Sequence, residues 1–592
     1  MQKLSLLLVL LIAGCGRLPP STTGAPASDA DSEFSRLADE YLAGYLAWRP
    51  ATGTSLGFHE YDGKLTDFSR RSLDAELTRL KSFEWRLAVL DTKRLGRPAL
   101  CDYRLLRAAI QREIFSFEEM QAYTQNPMTY AGAIDVNIYI KRDFAPLEDR
   151  VRSVLAILDQ APKLMAAARA NLDDVLPKPH VETAIEMAGG AADFLGKDLV
   201  EAVKGVGNDA LRTEFNTANR RAIDALRGYV DWLKERKLPR AHTRYALGRE
   251  KYAKLLRCGE LIELSPEQLL NLGLRELRRE QQVFAGAAKM IDPSRKPIEV
   301  FKSIQKDHPT AEGLISDTRK NLEAIRRFLI EHQIITLPSE VRAQVAETPQ
   351  FLRATSFASM DTPGPFETKA TEAYYYVTPT EKDWTPQQKE EWLTAFNYYT
   401  TDVVSIHEAY PGHYVQFLCL NASPATKVEK IFTSYAFTEG WAHYTEQMLL
   451  DQGFGVGPSA TLGRDDLLAA AKYRLAQSDE ALLRICRLCV SIQTHCQGLT
   501  VEQATKFFQE NCYYEEKPAR QEAMRGTFDP EYLYYTLGKL QILKLREDYR
   551  KQEGASYSLK RFHDEMLRHG APPIRLLREV LLTDSKKWDE VF

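Results

Sequence analysis

Residues 407–413 read His407-Glu408-Ala409-Tyr410-Pro411-Gly412-His413, and this stretch says most about the architecture of the chain. It sets two imidazoles and a carboxylate within seven residues, and a second carboxylate follows at Glu439. Two neutral histidines and one glutamate are the protein ligands of many hydrolytic zinc sites, where water takes the fourth position. Glu408, beside the first histidine, stands where a general base would stand. The pattern therefore favours a metal-dependent hydrolase.

The spacing of the two histidines departs from the usual H-E-x-x-H pattern. Histidines four apart on a helix lie about 40° from eclipsed, whereas a separation of six corresponds to about 240°. Pro411 has no N–H to donate and crowds the preceding turn, and Gly412 can adopt dihedrals that other residues avoid. A bulged or broken turn at this pair would bring His413 beside His407. The alternative is that Pro411 and Gly412 simply end a helix and leave two unrelated histidines.

Several further segments match one bacterial family. His407-Glu408-x-x-Pro411-Gly412-His413-x-x-Gln416, followed by Glu439-Gly440-Trp441-Ala442, resembles the family called domain of unknown function 885. The resemblance runs from about residue 34 to the end, and it implies a helical relative of zinc peptidases with a lengthened HExxH motif. One departure is Ser491, where the family usually has Asp. The shorter matches are Pro50-Ala51-Thr52, Leu56-Gly57-Phe58-His59, Tyr61-Asp62, Arg487 with His495, Tyr535-x-x-Gly538-Lys539-Leu540, Leu545-Arg546, Phe562-His563-Asp564 and Gly570-Ala571-Pro572.

Helical periodicity dominates the rest of the sequence. Apolar residues recur at three- and four-residue steps from Phe34 to Leu46 and from Leu147 to Leu172, where Pro162 is expected to kink or split the helix. Ser265-Pro266-Glu267-Gln268 and Thr500-Val501-Glu502-Gln503 read as capped helix starts. The chain is therefore predicted to be mostly α. The resemblance adds a large metallopeptidase-like helical body with a central cleft and a small β-hairpin or sheet near the metal motif.

The best candidate for extended structure runs from Glu372 to Pro379 and is rich in strand-forming residues. In helical metallopeptidases a strand in this place runs along the cleft and pairs with the substrate backbone. The alternative is a short hairpin that has no role in binding a ligand.

The first residues read as an export signal. An apolar run from Leu4 to Ala13 follows Lys3, is about half as long as a membrane span and closes on Ile12-Ala13-Gly14-Cys15. This predicts a lipoprotein signal peptide over 1–14 and lipid on Cys15, although an ordinary signal peptide is the alternative. Residues 15–33 are predicted to be a flexible tether. Residues 34–592 would form the catalytic body, as one unit or as two lobes at about 34–290 and 291–592.

The residue after Cys15 and the net charge of the chain indicate its location and its classes of partner. Gly16 after the cysteine favours the outer membrane of a bacterium, with the soluble body in the periplasm and the lipid as the only membrane contact. A formal net charge of −3 is too balanced to indicate a nucleic-acid partner. Cys486, Cys489 and Cys496 are interpreted as buried small residues on a helix, with a local disulfide or a second metal site as alternatives. Nothing in the sequence indicates the oligomeric state.

The predicted site binds one Zn²⁺ per chain. His407 and His413 supply imidazole ligands, and Glu439 is the preferred third ligand because the family resemblance retains it. His443 lies one helical turn after Glu439 and is the alternative third ligand. Glu408 is predicted to take a proton from the attacking water and pass it to the leaving amine.

The resemblance also suggests donors for the oxyanion that forms during hydrolysis. These candidates are Tyr535, His495 and Arg546, whereas Tyr534 should point about 100° away from Tyr535 on a helix. Gln416 is a candidate to hold a metal ligand in place. The predicted function is a zinc-dependent peptidase that acts on short peptides in the bacterial envelope. A non-catalytic ligand-binding lipoprotein and a metal hydrolase of non-peptide amides or esters remain as alternatives.

Overall fold

The computed structural model of the chain describes residues 29–349, 353, 357–456 and 463–592. Within these residues it is mostly α, as the sequence predicts, with a single three-stranded sheet. The helices are α1 Asp29–Trp48, α2 Pro50–Leu56, α3 Arg70–Ala88, α4 Arg97–Glu118, α5 Met128–Ala131, α6 Asn137–Lys141, α7 Leu147–Leu158, α8 Ala161–Asn171, α9 Lys178–Gly196, α10 Asp198–Ala202, α11 Asp209–Trp232, α12 Arg249–Glu260, α13 Pro266–Ile291, α14 Pro297–Ile304, α15 Leu314–Glu331, α16 Pro386–Ala395, α17 Tyr398–Glu408, α18 His413–Ala422, α19 Lys427–Ile431, α20 Tyr435–Asp451, α21 Arg464–Gln497, α22 Val501–Cys512, α23 Glu516–Arg525, α24 Tyr534–Glu553, α25 Leu559–Leu567 and α26 Ile574–Leu581.

The sheet consists of β1 Gln344–Glu347, β2 Ala358–Asp361 and β3 Tyr374–Val377 in the order β1-β3-β2. β1 is parallel to β3, and β2 is antiparallel to it with Met360 opposite Tyr375. The strand predicted at 372–379 is therefore present, but it is the central strand and both of its edges are occupied within the sheet. The expectation that it pairs with a substrate is wrong for this reason. Among the described residues, no strand pairs with the outer edge of β2.

Local sequence signals explain most helix boundaries. The side chains of Ser265 and Thr500 form capping boxes at the starts of α13 and α22. Pro162 lies in the first turn of α8, after a break that separates it from α7. The first described helix begins at Asp29, so residues 29–33, which the sequence assigned to the tether, are helical.

The apolar core does not divide near residue 290. α13, which ends at Ile291, packs along α21, and a Cβ added at Gly273 would lie 2.9 Å from Leu488. Helices α12–α14 share one buried cluster with α21–α24, whereas α5–α11 form a separate one. One buried cluster thus includes residues from both sides of position 290, and the division into lobes at 34–290 and 291–592 stays a prediction.

Residues 1–28, including the predicted signal peptide and Cys15, lie outside the part of the chain that the structure describes. None of the described helices is both long enough and apolar enough to cross a membrane.

Candidate metal centre

A widened turn joins α17 to α18 and brings the two histidines of the motif together. Gly412 donates its N–H to the carbonyl of Ile406, and Val415 donates to Ala409, so both bonds span six residues instead of the four of a regular helix. The imidazole rings of His407 and His413 are consequently 4.9 Å apart between centroids and nearly perpendicular, at 89°. The alternative in which the Pro-Gly pair separates two unrelated histidines does not apply.

Glycine is required inside this turn. A Cβ at Gly412 would lie 1.7 Å from the carbonyl oxygen of His407, so no other residue fits without moving the backbone. The next residue back, Pro411, is joined to Tyr410 by a cis peptide bond, and its carbonyl accepts a 2.9 Å hydrogen bond from Nε1 of Trp441. This bond ties the turn to α20, the helix that carries Glu439.

The start of α20 is fixed by two polar groups. Ser434 accepts a hydrogen bond from the N–H of Phe437, and the buried carboxylate of Glu260 accepts one from the N–H of Ala436 at 3.0 Å. Glu439 therefore lies in the second turn of the helix. At this position the carboxylate is not needed to cap the free backbone N–H groups of the first turn, and it can interact with the two imidazoles.

A close helix crossing brings α24 next to Glu439. A Cβ at Gly440 would lie 2.5 Å from Gly538, and a Cβ at Gly538 would lie 1.8 Å from the carbonyl oxygen of Ala436. The glycines in the Glu-Gly-Trp-Ala and Tyr-x-x-Gly segments are thus the contact points of α20 and α24. Because Tyr535 lies three residues before Gly538 on α24, the crossing carries its side chain towards the site.

The three predicted ligands meet with spacings that suit a tetrahedral ion. Oε2 of Glu439 lies 3.5 Å from Nε2 of His407 and 3.4 Å from Nε2 of His413, and one ligand atom of each residue lies within 4.8 Å of the others. Ligands bound to zinc at about 2.0–2.1 Å and at tetrahedral angles are about 3.3–3.4 Å apart. Oε2 of Glu439 is buried without a well-directed hydrogen bond from the described residues, so its lone pairs are available to a metal ion. The residues present therefore fit a zinc ion.

A buried carboxylate that the sequence reasoning missed supports the first ligand. Oε1 of Glu446 lies 2.7 Å from Nδ1 of His407, and Oε2 lies 2.9 Å from Nδ1 of His443. Burial lowers the pKa of His407, but the nearby carboxylates of Glu439 and Glu446 outweigh it and raise the value to about 9. Burial raises the pKa of Glu446, but Arg484 and the two histidines bring it well below its ordinary value. Glu446 is therefore a carboxylate that orients the His407 ring with Nε2 facing Glu439.

Glu408 follows the ligand His407 in the chain and is partly open to solvent. Its Oε2 accepts a hydrogen bond from the backbone N–H of Met360 in β2, at 3.0 Å. The general base predicted from the sequence is thus held against the free edge of the sheet.

Two phenols lie near Glu439. The rings of Tyr435 and Tyr535 are 5.7 Å apart and meet edge to face. Burial is the main cause that raises the pKa of both hydroxyls, and the charge of Glu439 adds to the shift in each. Tyr535 was a sequence candidate, whereas Tyr435 was missed, although it lies one helical turn before Glu439. Tyr534, the residue before Tyr535, is fully buried.

Among the described residues, no hydrogen bond joins the remaining candidates to the three ligands. Nδ1 of His443 contacts Glu446, and burial lowers the pKa of this histidine to about 3. Arg546 donates to the hydroxyl of Tyr444 at 2.9 Å. Both ring nitrogens of His495 contact backbone groups of other segments. Gln416 is buried, and its amide has no hydrogen-bond partner among the described residues.

A simple signal could have revealed Glu446. It lies seven residues after Glu439, which places the two carboxylates about 20° apart on one helix face. His443, the alternative third ligand predicted from the sequence, shares the same face.

Comparisons with known proteins agree with this fold. A family model described as a bacterial protein of unknown function (DUF885) matches residues 50–581. A protein from Shewanella oneidensis, described as a candidate lipoprotein of unknown function, is 25% identical with a TM-score of 0.76, and the match covers 93% of this chain and 99% of that one. A candidate lipoprotein from Colwellia psychrerythraea is 18% identical with a TM-score of 0.74, over 95% of this chain and 99% of that one.

Other comparisons add little about activity. A carboxypeptidase from Pyrococcus furiosus, solved in an apo-Mg form, matches at 11% identity with a TM-score of 0.41, over 95% of this chain and 98% of that one. This likeness is too weak to support an argument. Among curated proteins, nothing matches the sequence.

Proposed function

Because the chain belongs to the DUF885 family of bacterial proteins, whose function is unknown, we propose its chemistry from the site itself: a zinc-dependent hydrolase that cleaves peptides. The observation that carries the proposal is the meeting of His407, His413 and Glu439, with a fourth ionisable group, Glu408, next to His407 in the chain and bonded to the N–H of Met360. A site that only binds a metal needs no base at that position. The proposal includes attachment to the bacterial outer membrane through lipid on Cys15, with the body in the periplasm.

The residues of the chain divide the chemistry among them. When bound, zinc supplies a Lewis acid and lowers the pKa of a water molecule to about 7. Glu408 takes the proton from the attacking water and returns it to the leaving amine. The N–H of Met360 donates a hydrogen bond to the carboxylate of this base and so limits its movement.

Hydroxyl donors are proposed for the oxyanion. Tyr535 and Tyr435 lie on α24 and α20, two helices locked together at the Gly440–Gly538 crossing. Burial keeps both phenols protonated at neutral pH, so each can donate a hydrogen bond. A donor held in place before the reaction stabilises developing charge without reorganisation.

The edge strand β2 supports a peptide as the substrate. The carbonyl of Phe357 accepts a hydrogen bond from the N–H of Thr378, which makes this pair a hydrogen-bonded pair of the antiparallel ladder. Since bonding alternates along such a ladder, the backbone groups of Ala358 and Met360 point to the free edge. The Met360 N–H already reaches Glu408 there. An extended peptide that added to this edge would run past the base.

Metal analysis and a peptide digest test the proposal together. We expect about one zinc per chain in protein purified without added metal, and chelator-sensitive cleavage of a peptide library. Glu408→Gln should keep the zinc and lose the cleavage, while Glu391→Gln, on the exposed side of α16, should change neither. Absence of zinc would refute the metal site. Zinc without any cleavage would instead indicate a ligand-binding lipoprotein.

A further inference from the structure

One face of α21 holds the segment that leads into α24. Arg487 donates from Nε and Nη2 to both carboxylate oxygens of Glu522, at 2.8 and 2.7 Å. Ser491 donates to the carbonyl of Pro530 at 2.7 Å, one turn further along. His495, one more turn along, contacts the carbonyl of Gly526 at 2.8 Å. Residues at four-residue steps share a helix face. Three consecutive turns of α21 therefore contact the single segment 522–530.

His495 has no ring nitrogen left for chemistry. Its Nδ1 accepts a hydrogen bond from the N–H of Leu247 at 3.3 Å, so Nε2 carries the proton and donates to Gly526. Burial lowers the pKa of His495 to about 4, which keeps the ring neutral. The role of oxyanion donor suggested by the resemblance is therefore not available to this side chain.

Ser491 is fixed in the same way. The hydroxyl of Tyr252 lies 2.7 Å from Oγ of Ser491, and since Ser491 donates to Pro530, Tyr252 donates to Ser491. The Tyr252 ring also stacks on His495, with centroids 5.7 Å apart and planes at 23°. Serine accepts one hydrogen bond and donates another here, which an aspartate at this position could not do in its charged form.

The segment that α21 holds, residues 522–530, leads directly to Tyr535. Pro530 starts a short 3-10 helix that ends at Leu533, and α24 begins at Tyr534 without a side-chain cap. The position of α24's first turn thus depends on where Gly526 and Pro530 are held. The guanidinium of Arg487 lies over the Tyr535 ring, 5.3 Å from its centroid, and so contacts the end of the segment directly.

We propose that Ser491 and His495 are positioning residues that fix the phenol of Tyr535 beside Glu439. This inference rests on the proposed function, in which Tyr535 donates to the oxyanion. Both residues act through the backbone of 526–530, and neither touches the ligand atoms. A displacement of a catalytic group by about 1 Å can lower the rate about a hundredfold. Ser491 and His495 therefore affect the rate through the position of Tyr535 and do not contact the substrate.

A double-mutant cycle on the full chain tests the coupling. We expect His495→Gln to lower kcat on the cleaved peptides by about tenfold or more, with KM little changed. In the Tyr535→Phe background the same substitution should change kcat by less than about twofold, because the group it positions is already gone. Ser491→Ala should behave likewise. Thr505→Ala, which removes a buried hydrogen bond on α22, should leave kcat unchanged. Additive effects of His495→Gln and Tyr535→Phe would overturn the inference.

Hydrogen exchange gives a readout that does not need turnover. His495→Gln should speed the exchange of backbone amides in residues 526–535 and leave the zinc content unchanged. If the protein cleaves no peptide, the proposed function fails, and exchange alone then decides whether the α21 face holds this segment. Unchanged exchange in 526–535 would overturn the positioning role whether or not the protein is an enzyme.

Discussion

Nδ1 of His407 lies 2.7 Å from the fully buried carboxylate of Glu446, on the side of the ring opposite the ligand atom Nε2. A carboxylate behind a metal-binding histidine fixes the ring's tautomer and orientation and makes the ligand more basic. Glu446 also holds His443 and lies 3.6 Å from a nitrogen of Arg484, so its own position is set by two further side chains. The ligand His407 is therefore held in its orientation by buried side chains before any metal ion binds.

Glu446→Gln is expected to weaken zinc binding by about 10- to 100-fold, since an amide cannot orient His407 as a carboxylate does. The affinity can be measured by competition with a chelator of known affinity. Glu480→Gln is the matched control, because Glu480 pairs with Arg484 but makes no contact with the ligands. Equal affinities in the two variants and the wild type would contradict this role of Glu446.

The crossing of α20 and α24 predicts a strong packing effect. Gly440→Ala places a Cβ 2.5 Å from Gly538, so we expect the free energy of unfolding to fall by about 1–3 kcal/mol or more. Gly286→Ala on α13 is the control, because no atom lies within 4 Å of the added Cβ and alanine favours a helix by up to about 1 kcal/mol. Urea denaturation measures both. Similar stability of the two variants would refute the close crossing.

The sequence predicted the central turn but not the groups around it. Pro411 and Gly412 predicted a widened turn, because the backbone dihedral preferences of proline and glycine can be read from the sequence alone. Glu446 contacts His407 across 39 positions, and that contact depends on how α17 packs on α20. The sequence predicted that β3 would pair with a substrate, but β3 is the central strand and β2 lies at an edge. Strand order depends on how the strands pack together and cannot be predicted from the sequence of one strand. His495 matched a family pattern, yet its partners at Leu247 and Gly526 come from distant segments.

Asp102 predicts a pH dependence of stability. Burial, with the nearby charge of Glu429, raises its pKa to about 7 in the folded protein, against about 3.9 for an unfolded chain. The folded state thus holds the proton more tightly, and the stability this contributes is complete below about pH 4 and is lost as pH rises through about 7.

Asp102→Asn should remove that loss. We expect the variant to be more stable than the wild type at pH 8 by about 1 kcal/mol or more, with the difference shrinking towards pH 4. Urea denaturation at pH 4, 6 and 8 measures it. Asp74→Asn, exposed on α3, should leave the pH profile unchanged. A wild-type profile in the Asp102 variant would contradict the shift.

Paired substitutions distinguish the third and fourth candidate ligands. His413→Ala removes a nitrogen that lies 3.4 Å from Oε2 of Glu439, so we expect less than about one tenth of a zinc per chain. His443→Ala removes a ring whose Nδ1 is bound to Glu446, and we expect near-stoichiometric zinc with weaker affinity, because only the support of His407 is loosened. Circular dichroism should show both variants folded. Zinc retained in His413→Ala but lost in His443→Ala would reverse the ligand assignment, because it would require the His443 ring to leave Glu446 and turn towards Glu439.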